Sequence, residues 1–189
     1  MEDIIIVGYG GHAKSVADCI ERQKEYKIAG YTDLQKHESQ YQYLGSDDEL
    51  EKIYISGVKR AVIGIGYMGR GEVREKLYER LKKIGYILPV IKDPTAIISD
   101  TAVISEGVFV GKGAIVNAAA VVEKMVIVNT NALVEHECHV GEFTHIAVSA
   151  VLCGQVQIGK ACLVGANSTV LQQRKVESYS VVPAGVTVR

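Results

Sequence analysis

Two rhythms of apolar and polar residues divide the 189-residue chain. Through about the first ninety residues, short apolar runs alternate with amphipathic stretches. The runs at 4–7, 28–31, 61–65 and 86–90 have the length and β-branched content of buried strands. Between them, residues 12–22, 47–53 and 71–83 predict helices, the last with Val73, Leu77 and Leu81 on one face. Alternating strands and helices imply a small parallel α/β sheet, about half of a full dinucleotide-binding fold.

From Pro94 the period becomes six. Cut into hexads, the chain runs PTAIIS, DTAVIS, EGVFVG and so on to AGVTVR, without an insertion. The fifth place is Ile, Val or Leu in all sixteen hexads, and the third is Ala, Val, Cys, Thr or Ser in all but one, where Arg174 stands. Side chains on a strand alternate faces, so places three and five both point inward, one small and one branched. Three hexads close one triangular coil, and coils stack at the strand spacing of roughly 4.8 Å. The predicted architecture is a Rossmann-like α/β domain over residues 1–90 followed by a left-handed parallel β-helix over residues 91–189. Place four points outward, yet it is apolar in the first seven hexads, at Ile97, Val103, Phe109, Ile115, Val121, Ile127 and Leu133. Such a band needs cover, from the N-terminal domain and from neighbouring subunits, and a three-sided prism points to a cyclic trimer.

A net charge of −1 offers no electrostatic reason to expect nucleic acid or an anionic membrane as partner. No apolar run has the length of a membrane-spanning helix. The acidic start Met1-Glu2-Asp3 is unlike the basic start of a signal peptide, and Cys19, Cys138, Cys153 and Cys162 form no paired framework. Free thiols and a cytoplasmic location are expected. The ten tyrosines read as surface and loop packing, and the charged stretch 70–83 as a solvated helix face.

The densest chemistry lies in the run from Asn129 to His145, which includes Glu135-His136-Glu137, His139 and His145. His136 and Glu137 fill the first two places of a hexad, at a corner of the prism, and Gly154 opens the hexad one coil further on. A histidine beside a backbone N–H suits acyl transfer, as base for the nucleophile and donor for the developing oxyanion. Either Glu137 or Glu135 is placed to orient the imidazole. Three histidines within ten residues also raise a zinc site, but they project from different parts of the coil and no ligand pairing emerges. The second signal is Gly8-Tyr9-Gly10-Gly11-His12-Ala13-Lys14, directly after the first strand and opening a helix. Its glycines and helix N-terminus suit a diphosphate, Asp33 ends the second strand where a ribose hydroxyl is often held, and Gly64-Ile65-Gly66 lines the same edge. An NAD site is the rival reading, but the second mononucleotide half is lacking, so a nucleotide-linked substrate fits better.

Both halves resemble the bacterial sugar O-acyltransferases of the sialic acid O-acetyltransferase (NeuD) type and their relatives, the UDP-4-amino-sugar N-acetyltransferases (PglD type). The resemblance rests on the Gly10-Gly11-His12-Ala13-Lys14 turn, on Leu44-Gly45, and above all on the run from Asn129 through Glu135-His136-Glu137 to Gly141-Glu142-Phe143 and His145. It implies an acetyl-CoA-dependent homotrimer with active sites between protomers, acting on a UDP-linked amino sugar, or alternatively on a sialic-acid-like hydroxyl. By the same resemblance His136 is the base and Glu137 its carboxylate, while Asn129 and Glu135 shape the pocket. His145, Gly154 and Ala166 belong to the acetyl-CoA site, and Gly10, Gly11, His12, Asp33 and Gly66 to the sugar nucleotide. Relatives carry a further coil before an ending like Val182-Pro183-Ala184-Gly185-Val186. The expectation is therefore that the stretch from Gln172 is not a true coil and that coenzyme A binding is weakened, which leaves a trimeric binding protein as a third possibility.

Overall fold

The computed structural model describes residues 1–67 and 72–189, and the chain divides into two compact units. One comprises Met1–Gly66 and Glu72–Pro89, and the other runs through Val90–Arg189 and takes in Tyr67.

In the first unit, β1 (Glu2–Val7), α1 (Gly11–Gln23), β2 (Tyr26–Thr32), a 3-10 turn (Asp47–Glu49) leading into α2 (Leu50–Ile55), β3 (Arg60–Ile63) and α3 (Glu72–Ile84) follow in order. The sheet is parallel with order β2-β1-β3. β1 is central, and Ile4, Ile5, Ile6 and Val7 are all fully buried, as a strand covered on both faces requires. α1 turns Ala13, Val16, Ala17 and Ile20 inward at helical spacing.

Three expectations fail in this unit. The segment at 86–90 does not add a fourth strand; Ile87 makes one isolated bridge to Arg60, and Pro89 has no N–H with which to continue a ladder. On α3, Leu81 is fully buried and Leu77 half-buried as the pattern predicts, but Val73 is 46% exposed while Arg74 is 2% exposed, so the buried face departs from the predicted one in the first turn. The charged stretch is thus not wholly solvated, and desolvation lowers the Arg74 pKa to about 10. Arg70 and Gly71, part of that predicted stretch, lie outside the described residues. The tyrosines are not all peripheral either. Tyr9, Tyr31 and Tyr86 are buried, Tyr9 and Tyr31 stack with ring centroids 4.1 Å apart, and the Tyr86 hydroxyl donates to Leu50 O at 2.8 Å. Among the described residues no helix is long and apolar enough to cross a membrane.

The second unit is a parallel β-helix of two-residue strands, beginning with β4 (Ile91–Lys92) and β5 (Ile97–Ile98) and recurring every six residues to β20 (Thr187–Val188). They form three parallel sheets of six, six and five strands. The solenoid therefore starts one hexad before Pro94. It also runs unbroken to the end, because Lys175–Val176, Val181–Val182 and Thr187–Val188 each pair with the strand one coil below. The expectation of an irregular last coil is corrected. Arg174 does no harm at its nominally inward place because it is in the last rung of its sheet, and its side chain is exposed rather than packed inside. Thr144, also at an inward place, is fully buried and satisfied: its hydroxyl donates to Gly159 O at 2.8 Å and accepts from Cys162 N at 3.0 Å.

The corners explain the register. From residue 107 onward, every second place of a hexad has positive φ, at glycines 107, 113 and 185 and at eleven other residues including Ala119, Glu137, Gln155 and Gln173. At each coil-to-coil corner from Met125 on, the place-two N–H donates to the place-one carbonyl of the coil below, as Gln155 N does to His136 O at 2.9 Å. Places four and six donate to the coil above, as His139 N does to Val156 O and Gly141 N to Ile158 O, at 2.9 and 2.8 Å. The place-one N–H has no part in this ladder. Side chains claim some of these orphans: Asn129 Oδ1 takes Thr130 N at 2.8 Å and Ser178 Oγ takes Lys160 N at 3.0 Å.

The outward apolar band is unevenly covered. Phe109 and Ile127 on one face are 4% and 1% exposed, whereas Ile97 and Val103 on the other two are 63% and 55% exposed.

A left-handed corner tolerates alanine at a cost but resists a β-branched side chain. Ala119→Val, at φ 58°, is expected to lose about 1–2 kcal/mol in denaturant unfolding. Ala119→Gly is expected to match or exceed the parent protein in the same measurement.

Candidate active-site residues

In the first unit the turns after β1 and β3 lie side by side, since Val7 pairs with Ile63, and β2 ends beside them, since Val7 also pairs with Thr32. Gly8, Asp33 and Gly64 therefore meet at the C-terminal edge of the central strand, where the chain crosses from one side of β1 to the other. The glycines in these turns differ in kind. A Cβ on Gly8, at φ 82°, would come within 2.4 Å of Ile65 Cγ1, and one on Gly64 within 2.3 Å of Gly8 O. Gly10 and Gly11 meet nothing within 4 Å and have ordinary φ. Packing thus explains Gly8 and Gly64 and leaves Gly10 and Gly11 unexplained, in open space at the N-terminus of α1. That helix start has no side-chain cap and no acid in its first turn, so its orphan N–H groups remain suited to an anion. His12, half-buried, is its second residue, and Gly66 follows Gly64 half-exposed.

Asp33 has a structural task as well. Its Oδ2 accepts from Tyr9 N at 2.7 Å and its Oδ1 from Leu34 N at 2.6 Å, and His37 Nε2 lies 3.1 Å from Oδ2. The carboxylate closes the glycine turn onto β2, and His37, which no sequence motif marks, completes it. Beside Tyr9 opens a cavity of about 320 Å³, bounded by Lys14, Asp18, Glu21, Gln40 and Tyr41. Burial, with the hydrogen bond to Glu21, pushes the Tyr41 pKa up to about 12, so the phenol stays a neutral donor.

In the second unit the corner at His136 is built as the frame requires. His136 and Glu137 stand beneath Gly154 and Gln155, eighteen residues on. The His136 Nδ1 lies 3.0 Å from Glu137 Oε2. A carboxylate only accepts, so Nδ1 carries a proton, and the neutral ring keeps its lone pair on Nε2. Of the two glutamates the sequence offered, Glu137 takes the imidazole, while Glu135 Oε2 accepts the orphan His136 N–H at 3.0 Å. A Cβ on Gly154 would lie 2.6 Å from both His136 Cε1 and Nε2, so the imidazole edge rests against the Gly154 backbone and only glycine leaves it room. Gly154 N–H is one of the corner orphans, and among the described residues nothing accepts from it.

Glu137 is held below the usual carboxylate range, first by the His136 hydrogen bond and then by one from Gln155. Asn129 Oδ1 accepts from Thr130 N, which turns its Nδ2 toward His145 Nε2 at 3.1 Å. Ala166 opens the hexad two corners after Gly154, and its carbonyl accepts from Gly185 N at 2.8 Å. The three histidines do not converge. His139 Nε2 pairs with Glu123 Oε1 at 2.8 Å, away from the partners of His136 and His145, and no metal-holding group of three or more His, Cys, Asp or Glu occurs among the described residues. Sequence reasoning missed Gln155 and Gln173, which only the stacked coils bring to Glu137.

Residues 3–81 match the family described as the PglD N-terminal domain. Solved structures share the architecture over the whole chain. A point mutant of perosamine N-acetyltransferase from Caulobacter crescentus, in complex with CoA and GDP-perosamine, is 27% identical with a TM-score of 0.94, covering 100% of this chain and 89% of that one. The acetyltransferase domain of PglB from Neisseria gonorrhoeae is 29% identical with a TM-score of 0.93, covering 100% and 92%. The same domain in complex with acetyl coenzyme A is 28% identical with a TM-score of 0.88, covering 99% and 92%.

A carboxylate with a depressed pKa contributes its interaction above its ordinary value and loses it as pH falls through the depressed one. By carbon-13 NMR the Glu137 carboxyl is expected to titrate below the ordinary range of a glutamate, and to lose part of that depression in Gln155→Ala. Gly154→Ala is expected to swing the half-exposed imidazole out of place with little change in melting temperature, visible in a crystal structure of the variant.

Proposed function

We propose that this chain, which carries a PglD-type N-terminal domain and resembles sugar N-acetyltransferases along its whole length, transfers an acetyl group from acetyl-CoA to the amine of a nucleotide-linked amino sugar. The observation that carries this reading is the corner at His136. An imidazole whose Nδ1 proton is held by Glu137 rests its Nε2 edge against a glycine whose backbone N–H has no acceptor among the described residues. A base and an oxyanion donor side by side are what aminolysis of a thioester needs.

Acetyl-CoA supplies the activated acyl group when bound. His136 Nε2 accepts the amine proton as the sugar nitrogen bonds to the acyl carbon. Gly154 N–H donates to the acyl oxygen as it gains charge. Glu137 keeps the second imidazole proton on Nδ1 and balances the positive charge that forms on the ring. The proton held at Nε2 is then available to the departing sulfur. His145 and Ala166 stand in this reading on the acetyl-CoA side, and Asn129 and Glu135 shape the pocket.

For the acceptor, the open glycines Gly10 and Gly11 and the uncapped start of α1, with His12, are suited to the diphosphate. Asp33 and Gly66 lie at or beside the same edge. The relatives from Caulobacter are N-acetyltransferases seen with GDP-perosamine, which favours an amine over a hydroxyl as nucleophile. We take the nucleotide to be UDP and the sugar a 4-amino sugar, as in the PglD type. We assign the reaction to the cytoplasm, in keeping with four cysteines that form no disulfide. The exposed Ile97 and Val103 suit burial against neighbouring copies in a trimer.

Thiol release from acetyl-CoA is expected with a UDP-linked 4-amino sugar and not with free or CMP-linked sialic acid. UDP is expected to raise the melting temperature more than GDP, and the reverse order overturns the choice of base. His136→Ala is expected to lower kcat by about 10²–10⁴-fold, and a loss under tenfold removes the base from the mechanism. Light scattering is expected to give three times the chain mass, and Ile97→Asp with Val103→Asp to give a smaller particle.

A further inference from the structure

Above Ala119, the second places of the hexads on the His136 corner are Glu137, Gln155 and Gln173, each directly one coil above the last and each in the left-handed conformation. Their side chains are joined along the axis. Gln173 Nε2 donates to Gln155 Oε1 at 2.9 Å, and Gln155 Nε2 donates to Glu137 Oε2 at 3.1 Å. Chemistry sets the direction of this chain. An ionised carboxylate offers no proton, so Gln155 must present its NH₂ to Glu137; its oxygen then faces upward, and Gln173 must present NH₂ to it. Glu137 Oε2 thus receives two donors, His136 Nδ1 and Gln155 Nε2. The corresponding stacks at the other corners are apolar, with Met125, Phe143, Ala161 and Tyr179, or short, with Asn131, Ser149 and Asn167.

Glu137 needs such support. Its side chain is 54% exposed on a convex corner, where a glutamate otherwise samples many rotamers. We propose that Gln155 is a positioning residue for the transfer, oriented in turn by Gln173, holding the Glu137 carboxylate on His136 Nδ1 so that the imidazole keeps Nε2 bare against Gly154. The assignment rests on the reading of His136 as the base. It also gives the C-terminal coil a task, since Gln173 lies in the stretch whose regularity the sequence left in question.

The test combines a readout in the resting protein with one in turnover. Gln155→Asn suits the left-handed corner and keeps the amide but is one methylene too short to bridge the coils. Nitrogen-15 NMR of the imidazole is expected to show His136 as the Nδ1–H tautomer in the parent protein and as a mixture in Gln155→Asn. Its kcat is expected to fall about threefold to tenfold, the size of one lost hydrogen bond, with KM for acetyl-CoA within about twofold. Gln155→Glu, which sets a second carboxylate against Glu137, is expected to fall further, and Gln173→Ala to shift the tautomer in the same direction by less. If Gln155→Asn and Gln155→Glu both keep the parent tautomer and kcat, the proposal is overturned. If the tautomer shifts as expected while the parent protein turns over no acetyl-CoA, the ladder stands and the assignment of His136 as an acyl-transfer base falls.

Discussion

One backbone hydrogen bond organises the second unit: from Met125 on, the N–H at place two of each hexad donates to the place-one carbonyl of the coil below. It requires a left-handed residue at nearly every corner, and the chain accepts that conformation at eleven non-glycine positions of the solenoid. Each such residue costs about 1–2 kcal/mol in isolation. The cost is offset because the same turn keeps every inward residue in line with its counterparts eighteen residues away, packed into one continuous core. At the site the bond is literal. Gln155 N to His136 O ties the coil bearing the base to the coil bearing Gly154.

Main chain, more than side chains, therefore sets the distance between base and oxyanion donor. The His136–Glu137 pair is about half-exposed, and exposed pairs are worth little energetically. The backbone supplies position, and the side-chain ladder supplies orientation. The regular coil also leaves one orphan N–H per hexad, and the site uses these orphans selectively: Glu135 and Asn129 close two of them, while the one at Gly154 stays open.

The first unit follows a similar division. Gly8 and Gly64 are required by close packing of the two turns, and Asp33 fastens the loop through Tyr9 N–H. Gly10 and Gly11 have no such duty, and they border the uncapped helix start where an anion gains most. A glycine that packing explains says little about a ligand, whereas a glycine in open space says more.

Periodicity was legible because a solenoid repeats one local decision. Every fifth-place Ile, Val or Leu obeys the same inward rule, so the sequence alone placed the strands, the coil count, and Gly154 over His136. Residues without a period were misread. Arg174 was judged by its place in a repeat, but its rung has no coil above it, and the open end relieves the clash. Val73 and Arg74 exchanged roles in the first turn of α3, because an amphipathic pattern fixes a helix face only to within about one residue, some 100°. The segment at 86–90 had a strand's composition but only one bridge to make. Spacing left Glu137 and Glu135 open and only resemblance named Glu137; the contact itself, and the recruitment of Gln155 and Gln173, belonged to tertiary structure. Composition and spacing decide which residues share a corner; only the three-dimensional turn, with its left-handed φ and its fixed donors and acceptors, decides which oxygen faces which nitrogen.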